Sequence, residues 1–136
     1  METRELTGGE AIVKGLIAHD IDTVFALPGA QIYGLIDAFA KNGDRIRTIG
    51  ARHEQTCGYM AFGYARASGK PGVFAVVPGP GILNASAALL TANSCNARVL
   101  ALTGDMPSGA KGRERGALRA RPGDLRCSPR CPSARR

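Results

Sequence analysis

Two stretches of this chain carry no charge and almost no polar side-chain atom, and each runs straight into proline and glycine. They are Val24-Phe25-Ala26-Leu27, closed by Pro28-Gly29, and Val73-Phe74-Ala75-Val76-Val77, closed by Pro78-Gly79-Pro80-Gly81. A strand that is apolar on both of its faces cannot lie in a sheet with one wet side. It belongs in a parallel sheet covered by helices above and below. The segments between supply those helices. Thr7 and Glu10 have capping-box spacing, and Ile12, Val13, Leu16 and Ile17 then recur at helical intervals, predicting a helix from Gly8 to His19. Ile32, Leu35, Ile36 and Phe39 predict a second helix, stopped by Asn42-Gly43. Cys57, Ala61, Phe62 and Ala65 share one face of a third, Glu54 to Ser68, and an Ala-rich helix is expected from Leu83 to Asn96. Arg45 to Ile49 and Val99 to Leu102 complete four strands. Right-handed crossovers make this an α/β fold, a doubly wound, mainly parallel sheet with helices on both faces.

The periodicity stops at Ser108, and so does charge balance. The formal net charge is +7, and all of it falls on residues 109–136. Lys111, Arg113, Arg115, Arg119, Arg121, Arg126, Arg130, Arg135 and Arg136 stand there against Glu114 and Asp124. The chain therefore reads as one domain, 1–108, followed by an Arg/Pro/Gly-rich tail, 109–136, expected to be disordered for want of apolar surface. Basic residues could bind nucleic acid by displacing counterions, but the tail has no interleaved aromatics, so a solvated charge run is the expectation. No stretch approaches the ~18 apolar residues of a membrane span. Glu2, Glu5 and Glu10 with no apolar block argue against a secretory signal, so a cytoplasmic location is expected.

In an open parallel sheet, ligands bind beyond the carboxyl ends of the strands. The informative loops are then Pro28-Gly29, Gly50 to Glu54, Pro78 to Gly81, and Thr103-Gly104-Asp105. Each has a bland reading. Gly79-x-Gly81-x-x-Asn84 lacks the third glycine of a dinucleotide fingerprint and the lysine of an ATP loop, which leaves a tight turn or a close backbone approach to a ligand. Glu54 could serve only the dipole of the helix it opens. Arg52 and His53 read as solvated loop residues. No metal site is expected, because Cys57 and Cys95 lie on helices and Cys127 and Cys131 lack partners at zinc-ligand spacing.

Taken in order, Val24-Phe25-Ala26-Leu27-Pro28-Gly29, Arg52-His53-Glu54-Gln55, Val77-Pro78-Gly79-Pro80-Gly81-Ile82-Leu83-Asn84 and Leu100-Ala101-Leu102-Thr103-Gly104 carry a resemblance. From Thr7 to Ser108 the chain resembles the N-terminal, pyrimidine-binding domain of thiamine diphosphate (thiamine pyrophosphate, TPP) enzymes, on the acetolactate synthase-like branch. The resemblance implies 2-keto-acid decarboxylation or carboligation through an ylide of the cofactor. It implies that Glu54 is catalytic, sharing a proton with N1′ of the pyrimidine ring in a dry interface that raises its pKa. It also implies that Pro28, Gly29, Pro80, Gly81 and Asn84 wall or contact that ring, and that a homodimer buries the Glu54 helix.

The departures carry expectations too. Relatives hold magnesium and the diphosphate on a later domain with a Gly-Asp-Gly motif, and Gly104-Asp105-Met106 is not that motif. Asp105 stands where glutamine is usual, and Gly112 to Leu118 only echoes the glycine-rich stretch that follows in relatives. A truncated or out-of-frame reading after Ser108 is expected, giving a pyrimidine half-site without its diphosphate partner and inactive alone. The keto acid stays open, since other domains largely read it, and so does whether FAD is bound. A module that pairs with a separate diphosphate-domain chain, or nucleic-acid binding through the tail, are the alternatives.

Overall fold

The structure is a computed structural model that describes residues 5–105. The expected tail and its disorder, the boundary at Ser108, and the Cys127 and Cys131 pair lie outside the described residues.

The chain opens on α1, Gly8–Ala18. Its capping box forms: Glu10 N donates to Thr7 Oγ1 at 3.2 Å and Thr7 N donates to Glu10 Oε2 at 3.0 Å. Strand β1, Thr23–Ala26, follows, and a single 3₁₀ turn, Ala30–Ile32, leads into α2, Tyr33–Lys41. Asn42 ends α2 by donating its side-chain amide to the Ala38 carbonyl at 2.8 Å. Then come β2, Arg47–Gly50, helix α3, Glu54–Ser68, and β3, Gly72–Val76. Gly69 closes α3 in the left-handed region at φ 73°, as a helix-ending glycine should. Two helices, α4, Pro80–Asn84, and α5, Ser86–Ser94, precede the last described strand, β4, Val99–Thr103.

All three strand pairings are parallel, in the order β2-β1-β3-β4. Side chains alternate across the sheet, and the core divides accordingly. Val24, Ala26, Val73 and Ala75 join Val13, Leu16, Leu35 and Phe39 of α1 and α2 on one face. Phe25, Phe74 and Val76 meet Cys57 and Ala61 of α3, and Ala85, on the other. Each fully buried aromatic or aliphatic side chain contributes ~1.5–3 kcal/mol, so β1 and β3 with their helices carry most of the stability. Gly72 is required there by space: a Cβ would lie 2.0 Å from the Ala61 carbonyl oxygen, so α3 lies almost directly on β3.

The α/β parallel fold class holds, and four details of it need correction. Both faces are fully covered only at β1 and β3, whereas β2 and β4 are edge strands with exposed positions. Asn42 accepts backbone N–H bonds from Arg45 and Ile46, which delays β2 to Arg47. The single helix expected from Leu83 to Asn96 starts earlier and breaks at Ala85, where Ala88 N reaches back only three residues to the Ala85 carbonyl. On α3, Phe62 is half-buried and Gly58 takes a core position, because a Cβ there would meet the Ala88 Cβ at 2.7 Å. The helices α3 and α5 cross too closely for any larger residue.

The amino ends of the strands are tied by Asp22, which accepts from Lys70 Nζ at 2.5 Å, Tyr64 Oη at 2.7 Å and Thr23 Oγ1 at 2.9 Å. The Lys70 bond, then those from Tyr64 and Thr23, hold its carboxyl down at about 2, from an ordinary 3.8. A carboxyl depressed in the folded state stabilises above its unfolded pKa and loses that stabilisation as pH falls through the folded one. Asp22 is 48% exposed, so solvent screening limits the effect to about 1 kcal/mol or less. Urea melts taken from pH 5 to pH 2 should show the full chain losing that much between pH 4 and 2 relative to Asp22→Asn. Parallel pH curves for the two proteins would contradict the assignment.

Candidate functional site

The strand order reverses at β1: the chain steps first to β2 on one side, then to β3 on the other. The loops that follow these three strands therefore open onto one crevice, the place where sheets of this kind bind ligands. Every site residue expected from the sequence lies on those loops. Pro28 and Gly29 follow β1, Glu54 follows β2 as the first residue of α3, and Pro80, Gly81 and Asn84 belong to α4 after β3.

Glu54 is placed by its flanks. Ala51 N donates to the Ala26 carbonyl at 3.3 Å, which ties the loop after β2 to the end of β1. His53 then caps α3, its Nδ1 accepting from Gln55 N at 3.2 Å. A structural task is thus visible for His53, which the sequence suggested only as a solvated loop residue. Glu54 follows in the first turn, where the helix dipole favours a carboxylate.

The loop after β3 reaches Glu54 through a sharp turn. Gly79 sits at φ 67° and ψ −117°, a conformation that a side chain resists, and Pro80 starts α4 where a missing N–H costs nothing. That short helix carries Asn84 to Glu54, and Asn84 Nδ2 donates to Glu54 Oε2 at 3.0 Å. The other carboxylate oxygen lies beside bare backbone. A Cβ built on Gly81 would be 3.6 Å from Glu54 Oε1. Glu54, Gly81 and Asn84 are therefore brought together, whereas Pro28 and Gly29 line the neighbouring loop without a polar contact to the carboxylate.

The electrostatics run against the sequence expectation. The resemblance implies a raised Glu54 pKa, but the carboxyl is held below the ordinary glutamate range. The largest cause is the Asn84 hydrogen bond, then its own backbone N–H, with a small contribution from His53, and desolvation opposes them. Glu54 is half-buried in this chain, so water still reaches it and burial cannot win. Directly below, burial and the Glu54 charge push the Cys57 thiol up, which keeps it protonated and inert.

One residue of the site escaped the sequence reading. Val77 lies between the two glycine loops, with Cγ1 where a Gly29 Cβ would fall, 2.2 Å away, and Cγ2 2.6 Å from a Gly81 Cβ. At the same carboxyl end of the sheet, after β4, Gly104 is similarly matched to Gln31, whose carbonyl oxygen would be 2.4 Å from a Gly104 Cβ. Gly29 has an extended backbone, φ −167°, so close approach rather than conformation demands glycine there. The sequence shows only a branched residue at the end of an apolar strand, and the fold brings Gly29 to it.

Elsewhere, a cleft of about 210 Å³ lined by Asp20, Asp22, Arg45 and Lys70 lies at the opposite, amino ends of the strands. Among the described residues no three His, Cys, Asp or Glu side chains converge as a metal site would require, and no helix is long and apolar enough to cross a membrane.

If Asn84 sets the Glu54 ionisation, Asn84→Ala should raise the Glu54 pKa toward the ordinary glutamate value. Carboxyl ¹³C titration of the full chain measures it. The stability that Glu54 contributes above its unfolded pKa, and that is lost as pH falls through the folded one, should shrink in the same variant. An unchanged titration would show that the 3.0 Å contact carries no electrostatic weight.

Residues 6–124 match the sequence profile of the family described as thiamine pyrophosphate enzyme, N-terminal TPP binding domain, so the match runs past Ser108. The chain is 39% identical over 115 residues to a probable 2-ketoarginine decarboxylase of Pseudomonas aeruginosa, covering 85% of this chain and 20% of that protein. It is 40% identical over 107 residues to the mitochondrial acetolactate synthase catalytic subunit of Saccharomyces cerevisiae, covering 79% and 15%. With acetolactate synthase of Bacillus subtilis it shares 42% identity over 99 residues, covering 73% and 17%. The chain thus spans a fifth or less of the length of these relatives. With four parallel strands, helices on both faces and a carboxylate at the point of strand reversal, the chain belongs to the family of N-terminal TPP-binding domains of thiamine pyrophosphate enzymes, on its acetolactate synthase-like side.

Proposed function

We propose that this chain supplies the pyrimidine side of a thiamine diphosphate site in a 2-keto-acid decarboxylase or carboligase, with Glu54 as its catalytic carboxyl. The observation that carries the reading is the Glu54 carboxylate at the strand reversal, one oxygen engaged by Asn84 and the other beside the backbone of Gly81. That arrangement suits a flat nitrogen heterocycle. Glycine at position 81 leaves room for a ring to approach Oε1, and the Asn84 bond to Oε2 restrains the carboxyl from rotating.

When bound, thiamine diphosphate supplies the acidic carbon that adds to a 2-keto acid and takes up the electrons released on decarboxylation. Glu54 holds a proton at ring nitrogen N1′, and the first turn of α3 fixes where that proton sits. Asn84 orients the carboxyl, while Pro28, Gly29, Pro80 and Gly81 wall the ring. Magnesium and the diphosphate fall to residues of another domain, and the keto acid is read there as well. In a homodimer, a second body covering Glu54 would remove water from the half-buried carboxyl and push its pKa back up toward the range where sharing a proton is easy.

Placing residues 1–105 in the matching stretch of the Bacillus subtilis relative tests the role. Glu54→Gln keeps size and hydrogen bonding but cannot hold the proton. Hydrogen–deuterium exchange at C2 of the bound cofactor should slow by about 10²–10⁴-fold, the usual cost of losing an acid–base group. Cofactor affinity should change little, because the diphosphate anchors it. Equal exchange rates would return Glu54 to being a helix-start residue.

A further inference from the structure

Val77 has no polar side-chain atom, follows β3 directly, and lies between the two loops of the crevice. Its two branches meet different loops. Cγ1 occupies the space that a Gly29 side chain would need, and Cγ2 does the same at Gly81. Its main chain acts on the same helix: the Val77 carbonyl accepts from Ile82 N at 3.1 Å, closing the first turn of α4. Gly81 in turn accepts from Ala85 N at 3.2 Å, at the end of the five-residue helix that holds Asn84. The distance from Val77 to Glu54 is therefore spanned by one rigid unit, Gly81 to Asn84.

We propose that Val77 is a positioning residue for Glu54, its two Cβ methyls spacing the loop after β1 from α4 and so holding Asn84 against the carboxylate. The proposal deepens the role of Glu54 and rests on it for its functional meaning.

Shape, rather than apolar bulk, is what this arrangement requires. Two heavy atoms on Cβ fill two niches on either side. A residue branched only at Cγ places its atoms along one direction and leaves one niche open. The backbone of Gly29 or Gly81 must then shift, because close-packed interiors transmit the loss of a methyl to their neighbours. On the Gly81 side the shift carries Asn84 with it. His53 and Cys57 are the titratable groups that couple to Glu54 from the first turn of α3 and its cap.

The test is the carboxyl ¹³C titration of Glu54 in the full 136-residue chain, which needs no cofactor and no activity. Val77→Ala and Val77→Leu should both raise the Glu54 pKa in the direction of Asn84→Ala. Val77→Thr, which keeps both branches, should retain the wild-type titration although it buries a hydroxyl and lowers stability. A side chain that merely contributed apolar packing would show the reverse order, with leucine harmless and threonine harmful. Wild-type titration in the alanine and leucine variants, or a shift in threonine as large as in alanine, overturns the proposal. Where Val77→Ala fails to fold, the leucine and threonine pair decides alone. Failure of the Glu54 role itself would appear elsewhere, as unchanged C2 exchange in the Glu54→Gln chimera with the Val77 titrations intact.

Discussion

Strand β1 is hydrogen-bonded to β2 on one side and β3 on the other, and nearly everything else follows from that. A parallel strand with neighbours reached by two crossovers must have helices on both faces, and its side chains must be apolar on both. Val24 and Ala26 turn to α1 and α2, and Phe25 turns to α3. The same constraint gathers three loops over one end. Two carry glycine where backbone meets side chain, and the third delivers the carboxylate. The fold and the site are consequences of one topology.

How far the sequence revealed this depended on how local the signal was. Helix α3 runs from Glu54 to Ser68 as the pattern predicted, since a first-turn acid, an apolar face and Gly69 mark both ends within the segment. The capping box of α1 was equally legible, being four residues of chain. The break at Ala85 was not, because an Ala-rich run has good helix propensity throughout and only the approach to α3 shows where it divides. Val77 was invisible for a related reason. Nothing in an apolar strand end announces that both its methyls will face glycines brought up from elsewhere in the chain.

The Glu54 ionisation shows the same limit in electrostatic form. A resemblance supplies the carboxyl and its neighbourhood, but the direction of its pKa depends on whether hydrogen bonding or desolvation dominates. In this chain the Asn84 amide dominates and the carboxyl is held low. Leu83 and Leu90, 70% and 68% exposed, show that α4 and α5 present their outer faces to water. The Asn84 bond turns the carboxylate and holds its pKa below the ordinary glutamate range.

The central claim is that the crevice over β1 and β3, with Glu54 at its floor, receives a pyrimidine ring. Titrating thiamine, which bears the ring without the diphosphate, into the isotope-labelled full chain tests it most directly. Saturable shifts at the Glu54 carboxyl and at the Gly81 and Asn84 amides, with the amide shifts lost in Glu54→Ala, are the predicted result. Shifts confined to the Asp22 and Lys70 cleft, or amide shifts that persist unchanged in Glu54→Ala, would contradict it.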